Sequence, residues 1–270
     1  MSEKNVVIVG AAGRMGRKNL SIFSEHSSFK VSGAVEQPHN EYIGQDISLL
    51  TGGSKQNIKV SSDISVLLDK ADIVIDFSHP RATLPCLQQA ADARVPCIIG
   101  TTGFSSADMK IINKAAASIA VVLSGNYSTG INLLLGLVEK AAAAVSDFDV
   151  EIIEHHHNQK IDAPSGTAAM LAREVCKSRN LQYEKTVNQG RCGSNVKRGG
   201  PQAEIGIAAV RAGGIIGEHQ VILAGKDEKI EINHSALNRR AFTSGVVQAA
   251  LWLTDKPPAL YSMRHVLGFA

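Results

Sequence analysis

The sequence predicts an α/β protein built on a parallel sheet, with a second domain of α+β character in the same chain. Three observations predict it. Short apolar, β-rich runs alternate with helical stretches through the first half, as strands and crossover helices do. A turn with glycine at every third position, Gly10 to Gly16, joins the first apolar run to the first helix. After about residue 130 the alternation gives way to one long helix and, later, a cluster of strands.

The chain's 270 residues exceed one ordinary domain of about 100–200 residues and fall short of three. Apolar residues at 44% against 20% charged fit a folded chain and exclude a disordered one. Lys and Arg number 28 against 25 Asp and Glu, an excess of +3 that gives no footprint for nucleic acid or an anionic membrane. No uncharged apolar run approaches the ~20 residues of a membrane span. Met1-Ser2-Glu3-Lys4-Asn5 leads straight into a strand-like run without a signal-peptide pattern. Cys86, Cys97, Cys176 and Cys192 are scattered, with no C-x-x-C, and are expected as free thiols in the reducing cytoplasm.

In chain order, strands are expected at 6–9, 31–35, 73–77, 97–99 and 119–123, and helices at 15–25, 65–70, 81–93 and 107–116. Val6-Val7-Ile8-Val9 and Ile73-Val74-Ile75 do not alternate with polar residues, which suits strands buried on both faces. Residues 131–145 form a Leu/Ala-rich helix, 149–154 a strand and 167–177 another helix. Residues 189–202, rich in Gly, Arg and Lys without periodicity, read as a mobile loop. Strands at 204–211, 218–223 and 229–233 follow closely and imply a mainly antiparallel sheet. A helix at 240–253, Pro257-Pro258 and a short last helix close the chain.

Gly10-Ala11-Ala12-Gly13-Arg14-Met15-Gly16 follows a strand and opens a helix. Glycines there permit the tight turn and let backbone N–H groups approach a pyrophosphate at the helix N-terminus. Glu36, at the end of the next strand, can accept hydrogen bonds from ribose hydroxyls, so the turn reads as a variant of the Rossmann dinucleotide fingerprint. Gln37 stands where an Arg would argue for a 2′-phosphate, while Arg14, Arg17 and Lys18 either serve such a phosphate or form a solvated helix face. Gly100-Thr101-Thr102-Gly103 and Ser124-Gly125-Asn126-Tyr127-Ser128 each follow a strand, where ligands of open α/β sheets bind. They line that cleft or are ordinary loop punctuation.

The densest chemistry is Glu154-His155-His156-His157-Asn158-Gln159-Lys160-Ile161-Asp162-Ala163-Pro164-Ser165-Gly166-Thr167. Histidine suits proton transfer near neutral pH, and lysine is a compact cation for a carboxylate. Ser165, Gly166 and Thr167 offer hydroxyls and N–H groups at a helix N-terminus, an anion site. Metal binding and a solvated surface run are the rival readings. Adjacent histidines on a strand face opposite ways and no H-E-x-x-H spacing is present, so no metal is expected.

This segment resembles, almost residue for residue, the E-x-H-H-x-x-K-x-D-A-P-S-G-T signature of the 4-hydroxy-tetrahydrodipicolinate reductase (dihydrodipicolinate reductase) family. The resemblance spans essentially the whole chain, including Gly10 to Gly16, Gly100 to Gly103, Asn126-Tyr127-Ser128, Arg211-Ala212-Gly213, Gly217-Glu218-His219 and the closing residues 260–268. It implies a dinucleotide-binding Rossmann domain of residues 1–130 plus 241–270. Between them is inserted a substrate and oligomerisation domain of residues 131–240. It also implies a cytoplasmic homotetramer of the diaminopimelate and lysine pathway that reduces a small cyclic dicarboxylate with NADH or NADPH. On this chain His156 matches the catalytic proton donor and Lys160 the second catalytic residue. His157, Gly166 and Thr167 match substrate-binding positions. Gly10, Ala11, Ala12, Gly13, Arg14, Met15, Glu36, Gly100, Thr101, Thr102, Ser124, Gly125, Asn126 and Tyr127 match cofactor positions. Three residues depart from the family pattern: Gln37 for Arg, Tyr127 for Phe, and His155 before the motif histidines, with no role assigned. Another imine-reducing or amino-acid dehydrogenase of the same build, or a nucleotide sensor without turnover, remain the alternatives.

Overall fold

A computed structural model of the chain describes residues 3–269. Its elements run β1 (Lys4–Val9), α1 (Arg14–Glu25), β2 (Phe29–Val35), α2 (Ser48–Thr51), β3 (Val60–Ser61), α3 (Ser65–Leu68), β4 (Ile73–Asp76), α4 (Pro80–Asp92), β5 (Cys97–Ile99), α5 (Ser106–Ala116) and β6 (Ala120–Leu123). There follow α6 (Thr129–Ala144), β7 (Asp149–His156), α7 (Gly166–Ser178), α8 (Tyr183–Thr186), β8 (Val187–Asn188), β9 (Ile205–Arg211), β10 (Glu218–Ala224) and β11 (Lys229–Ser235). The chain closes with α9 (Arg240–Leu253), β12 (Ala259–Tyr261) and α10 (Met263–Val266). Two compact units result, Met1–Thr129 with Phe242–Ala270, and Gly130–Ala241.

The first unit is a parallel sheet in the order β12-β6-β5-β4-β1-β2-β3. Its strands are buried on both faces, and β1 shows why its sequence does not alternate. Val6 and Ile8 pack with Leu20 and Phe23 of α1 and Val246 and Ala250 of α9. Val7 and Val9 point the other way, into a second core with Leu87 of α4 and Ile112 of α5. Strand order reverses at β1, which pairs with β2 on one side and β4 on the other. In open α/β sheets a ligand crevice lies beyond the carboxyl ends of the strands at such a reversal. Sequence reasoning missed β3 and β12, sheet edges of two and three residues, too short for a periodic signal. The helix expected at 65–70 is confined to Ser65–Leu68.

The second unit packs α6 and α7 on one face of a sheet ordered β11-β10-β7-β9-β8. Val150, Ile152, Ile205, Ile207, Val221 and Leu223 supply the sheet side of that core. The sheet is mixed rather than mainly antiparallel. Strands β10 and β11 pair antiparallel, as do β10 and β7, but β7–β9 and β9–β8 are parallel. Strands β9 and β10, consecutive in sequence, are not neighbours, because β7 lies between them. Their connection, residues 212–217, therefore crosses the end of β7, and Ala212 N–H donates to His156 O at 2.9 Å. Closeness in sequence implied a mainly antiparallel sheet; the Gly-rich connection is long enough to span a strand instead.

Residues 189–202, expected as a mobile loop, are irregular but tied down. Arg198 reaches Asp149 Oδ1 at 2.7 Å and Glu151 Oε1 at 3.0 Å, and Arg191 pairs with Glu151 and Glu204. These anchors sit at the start of β7, roughly 15–25 Å along the strand from His156 at about 3.3 Å per residue. All four cysteines are free. Among the described residues no helix is long and apolar enough to cross a membrane.

Candidate active site

In the first unit, the turn after β1 is built for close backbone approach. Gly10 adopts φ +71°, in the left-handed region that favours glycine. A Cβ on Gly16 would collide with Gly10 O and the backbone of Ala11, so α1 can lie against the turn only with glycine there. Gly13 is the N-cap of α1 and accepts no side-chain cap, leaving the first-turn amides to an external acceptor. Glu36 is fixed by the turn itself: Ala12 N–H donates to Oε2 at 3.0 Å and Gln37 N–H to Oε1 at 2.9 Å. A cleft of about 540 Å³ opens there, lined by Gly10, Gly13, Glu36, Ser78 and Arg81 among others. Glycine cradle, uncapped helix and fixed carboxylate together fit a dinucleotide.

The later loops divide between cleft and core. Gly100 is glycine because the Phe77 ring occupies the space a Cβ would take. Thr101 is buried, accepting from Ser78 N–H at 3.0 Å and donating to Asp76 Oδ1 at 3.2 Å, while Thr102 is exposed. Sequence reasoning missed Asp76. Its buried carboxyl also takes the Ser78 hydroxyl at 2.6 Å, tying the loops after β4 and β5 together, and burial raises its pKa. Ser124 Oγ donates to Asn126 O at 2.7 Å, closing a tight loop with Gly125 exposed at its tip. Tyr127 is expected as a cofactor contact, yet its side chain is core. Only 2% exposed, it directs its hydroxyl at Ile99 O and Val122 O.

In the second unit, β7 alternates. Val150, Ile152, Glu154 and His156 share its inner face, while His155 is on the other, 3.8 Å from Glu218. The inner face turns from apolar to ionisable at Glu154, which is fully buried. His156 Nδ1 lies 2.5 Å from Glu154 Oε2. Arg211, paired with His156 in register, forks onto both Glu154 oxygens at 2.8 and 2.9 Å. Burial alone would raise Glu154, but the Arg211 guanidinium, His156 and the Ser165 N–H hold it below the usual carboxylate range. Burial lowers the pKa of His156; Glu154 pulls it back up, and Lys160 and Arg211 press it down. His219 of β10 stacks edge-on against His156 at 5.3 Å, and burial pushes it down to about 3.

Lys160 is held by both oxygens of Asp162, at 2.7 and 2.8 Å. Gly166 and Thr167 begin α7, and a Cβ on Gly166 would meet open space. Ser165 plays a supporting part. Its hydroxyl caps Ala168 N–H at 3.1 Å and meets His219 Nε2 at 3.2 Å, and its N–H is taken by Glu154. His157 is part-exposed at the strand end, its carbonyl accepting from Lys160 N–H at 3.1 Å. Among the described residues no cluster of His, Cys, Asp or Glu has the geometry to hold a metal ion. Glu154, Arg211 and His219 received no role from the sequence, since only the β9-β7-β10 register gathers them.

A glycine turn with a fixed carboxylate on one unit and a histidine–lysine segment at a helix N-terminus on the other are the parts expected of a nicotinamide-dependent oxidoreductase. The chain matches the family model "Dihydrodipicolinate reductase, N-terminus" over residues 4–127 and "Dihydrodipicolinate reductase, C-terminus" over residues 130–267. It is 42% identical to a protein of Beijerinckia indica subsp. indica named 4-hydroxy-tetrahydrodipicolinate reductase, covering 99% of this chain and 98% of that one. A protein of the same name from Geotalea daltonii is 39% identical, over 97% and 98% respectively. Among solved structures, a dipicolinate-bound dihydrodipicolinate reductase from Paenisporosarcina sp. TG-14 superposes with a TM-score of 0.78 at 25% identity, covering 96% of this chain and 97% of that one. The chain belongs to the dihydrodipicolinate reductase family.

Proposed function

We propose that this chain reduces 4-hydroxy-tetrahydrodipicolinate to tetrahydrodipicolinate, with His156 delivering the proton and Lys160 binding a substrate carboxylate. The observation that carries the reading is the pairing of His156 Nδ1 with buried Glu154, which leaves Nε2 as the ring nitrogen available to a substrate. NADH or NADPH, held at the Gly10 to Met15 turn and Glu36, supplies the hydride from its nicotinamide ring. The residues of this chain supply the rest. Lys160, His157 and the first-turn amides of α7 at Gly166 and Thr167 neutralise and orient a cyclic dicarboxylate. Gly100 to Thr102 and Ser124 to Asn126 border the cofactor, with Tyr127 contributing backbone only. In the net reaction the ring takes up one hydride and one proton and the 4-hydroxyl leaves as water; His156, as imidazolium, supplies the proton.

The uncovered face of the second sheet supports a homotetramer. Ala208 and Val210 of β9 are exposed on it, and Ile153 from β7 shares that face by register. Four free thiols suit a cytoplasmic enzyme. Incubation with the synthase-derived substrate and either reduced nicotinamide tests the reading by loss of nicotinamide absorbance. Binding of NADH with no oxidation of it in the presence of that substrate would overturn it.

A further inference from the structure

We infer that Glu154 is a positioning residue: one buried carboxylate sets both the tautomer of His156 and the seat of the helix turn at Ser165. The inference rests on the reading of His156 as proton donor. An ionised carboxylate is acceptor-only, with about four lone-pair sites. All four are in use. Oε2 takes His156 Nδ1 at 2.5 Å and Arg211 Nη1 at 2.9 Å. Oε1 takes Arg211 Nη2 at 2.8 Å and Ser165 N–H at 2.9 Å. No site remains for substrate, so Glu154 acts through the groups it holds.

Two consequences follow. Three of the four partners are obligatory donors, and Oε2 can take His156 only as an Nδ1–H donor, so neutral His156 carries its hydrogen on Nδ1. Nε2 is then the nitrogen that gains and gives the working proton. It lies above Gly217, where a Cβ would stand only 3.1 Å away, so glycine keeps that nitrogen uncrowded. Second, the same carboxylate fixes the residue that caps α7, so donor and anion turn share one anchor. Charged and titratable groups reach His156 from every element around it. Glu154 lies on its own strand, Arg211 on β9, His219 on β10, and Lys160 with Asp162 on the segment after β7.

Glu154→Gln offers one acceptor oxygen and an NH2 that faces donors. Arg211→Met leaves the carboxylate but removes its main counter-charge. Two readouts separate positioning from mere support. With 15N-histidine labelling, wild-type neutral His156 should give the Nδ1–H tautomer, and Glu154→Gln should populate Nε2–H. In the pH profile, activity is lost as pH rises through the pKa of the proton donor. Glu154→Gln removes the charge that favours imidazolium, so that limb should move to lower pH, with kcat reduced roughly 10- to 10³-fold. Arg211→Met should move the limb to higher pH. A structural role alone has no reason to shift the two limbs in opposite directions. Should Glu154→Gln not fold, the wild-type tautomer and the Arg211→Met limb decide. Persistence of Nδ1–H in Glu154→Gln, or limbs that do not move, overturns the inference. The tautomer arm needs no substrate. An Nδ1–H tautomer lost on substitution, with normal kcat in His156→Gln, would sustain the positioning role and sink the proton-donor reading instead.

Discussion

His155 and His156 are adjacent in the chain and face opposite sides of β7, the first 3.8 Å from Glu218 and the second 2.5 Å from Glu154. A strand's two-residue period forces this separation, so only one of the pair can join Glu154 on the inner face. His156→Gln should therefore lower kcat by about 10²–10⁴-fold, the usual worth of a general acid, with a much smaller change in KM. His155→Gln should leave kcat within about twofold, since His155 lies on the face of β7 away from Glu154 and is 3.8 Å from its nearest carboxylate. Initial rates at saturating substrate check both. Loss of activity in His155→Gln with near-normal His156→Gln would reverse the assignment.

Binding of substrate should take up a proton. In the free chain burial holds His156 below its ordinary range, with Lys160 and Arg211 adding to the depression. A bound dicarboxylate brings negative charge that favours the imidazolium and raises that pKa. At pH 7 the ring is mainly neutral before binding and gains protonation after it, so uptake is the expected sign. Calorimetry of pyridine-2,6-dicarboxylate binding in buffers of different ionisation enthalpy reads the proton count directly. His156→Gln should abolish the uptake; zero uptake or net release in wild type would contradict the prediction.

His219 should make the fold acid-sensitive. Its folded pKa is about 3 against 6.5 when unfolded, because burial penalises the charged ring. Below pH 6.5 the unfolded chain binds a proton that the native chain does not, so stability falls with falling pH down to about 3. At pH 5 the loss from this one residue is about 2 kcal/mol relative to neutral pH, at 1.36 kcal/mol per unit. His219→Gln should flatten that part of the curve. Urea unfolding of both proteins at pH 7 and pH 5, at equal concentration, measures the difference; equal slopes would show that His219 titrates normally.

Much of this was legible because it is local. Glycine spacing, strand–helix alternation and the run from Glu154 to Thr167 each sit in one stretch of sequence, and each maps onto β1–α1 or β7–α7 as expected. What escaped depends on register. Arg211 and His219 are 57 and 65 residues from Glu154, and only the placing of β7 between β9 and β10 makes them its neighbours. Asp76 falls inside the strand expected at 73–77; its role needs Thr101 from the loop after β5. The anchors of residues 189–202 escaped for a similar reason, since the arginines there meet carboxylates about 40–50 residues earlier. Composition marks a loop as irregular and is blind to what anchors it.

Lys160 is pre-set by Asp162, and the two should respond in opposite ways. The ammonium is held by both carboxylate oxygens, so an incoming substrate carboxylate competes with Asp162 for it. Lys160→Ala removes a charged contact worth about 1.5–3 kcal/mol and should raise substrate KM roughly 10- to 150-fold. Asp162→Asn removes the competitor and should hold KM within about threefold or lower it. Cofactor Kd should stay unchanged in both, since its turn belongs to the other unit. A Lys160→Ala variant with normal KM would remove the ammonium from substrate recognition.

Cofactor preference turns on Glu36 and on which arginines are free to oppose it. The carboxylate is pinned by Ala12 and Gln37 N–H groups, placed to accept from ribose hydroxyls and to repel a 2′-phosphate. Arg17, one of the cations available in the sequence, is committed elsewhere. Its Nε donates to Ala12 O at 2.9 Å and its guanidinium lies over the Tyr42 ring at 5.0 Å. Arg14 opens α1 and is exposed, while Arg81 lines the same cleft as Glu36. Both are exposed at the side of the turn where a 2′-phosphate would sit beside Glu36. One fixed carboxylate against two exposed guanidiniums predicts dual use. NADH and NADPH should differ in kcat/KM by no more than roughly a hundredfold, about 2.7 kcal/mol at 1.36 kcal/mol per decade. Glu36→Gln should move the ratio toward NADPH, and Arg81→Ala toward NADH. A wild-type ratio of several thousand, or an Arg81→Ala ratio equal to wild type, would mean that Arg81 does not oppose Glu36 and that the cleft reads the ribose through Glu36 alone.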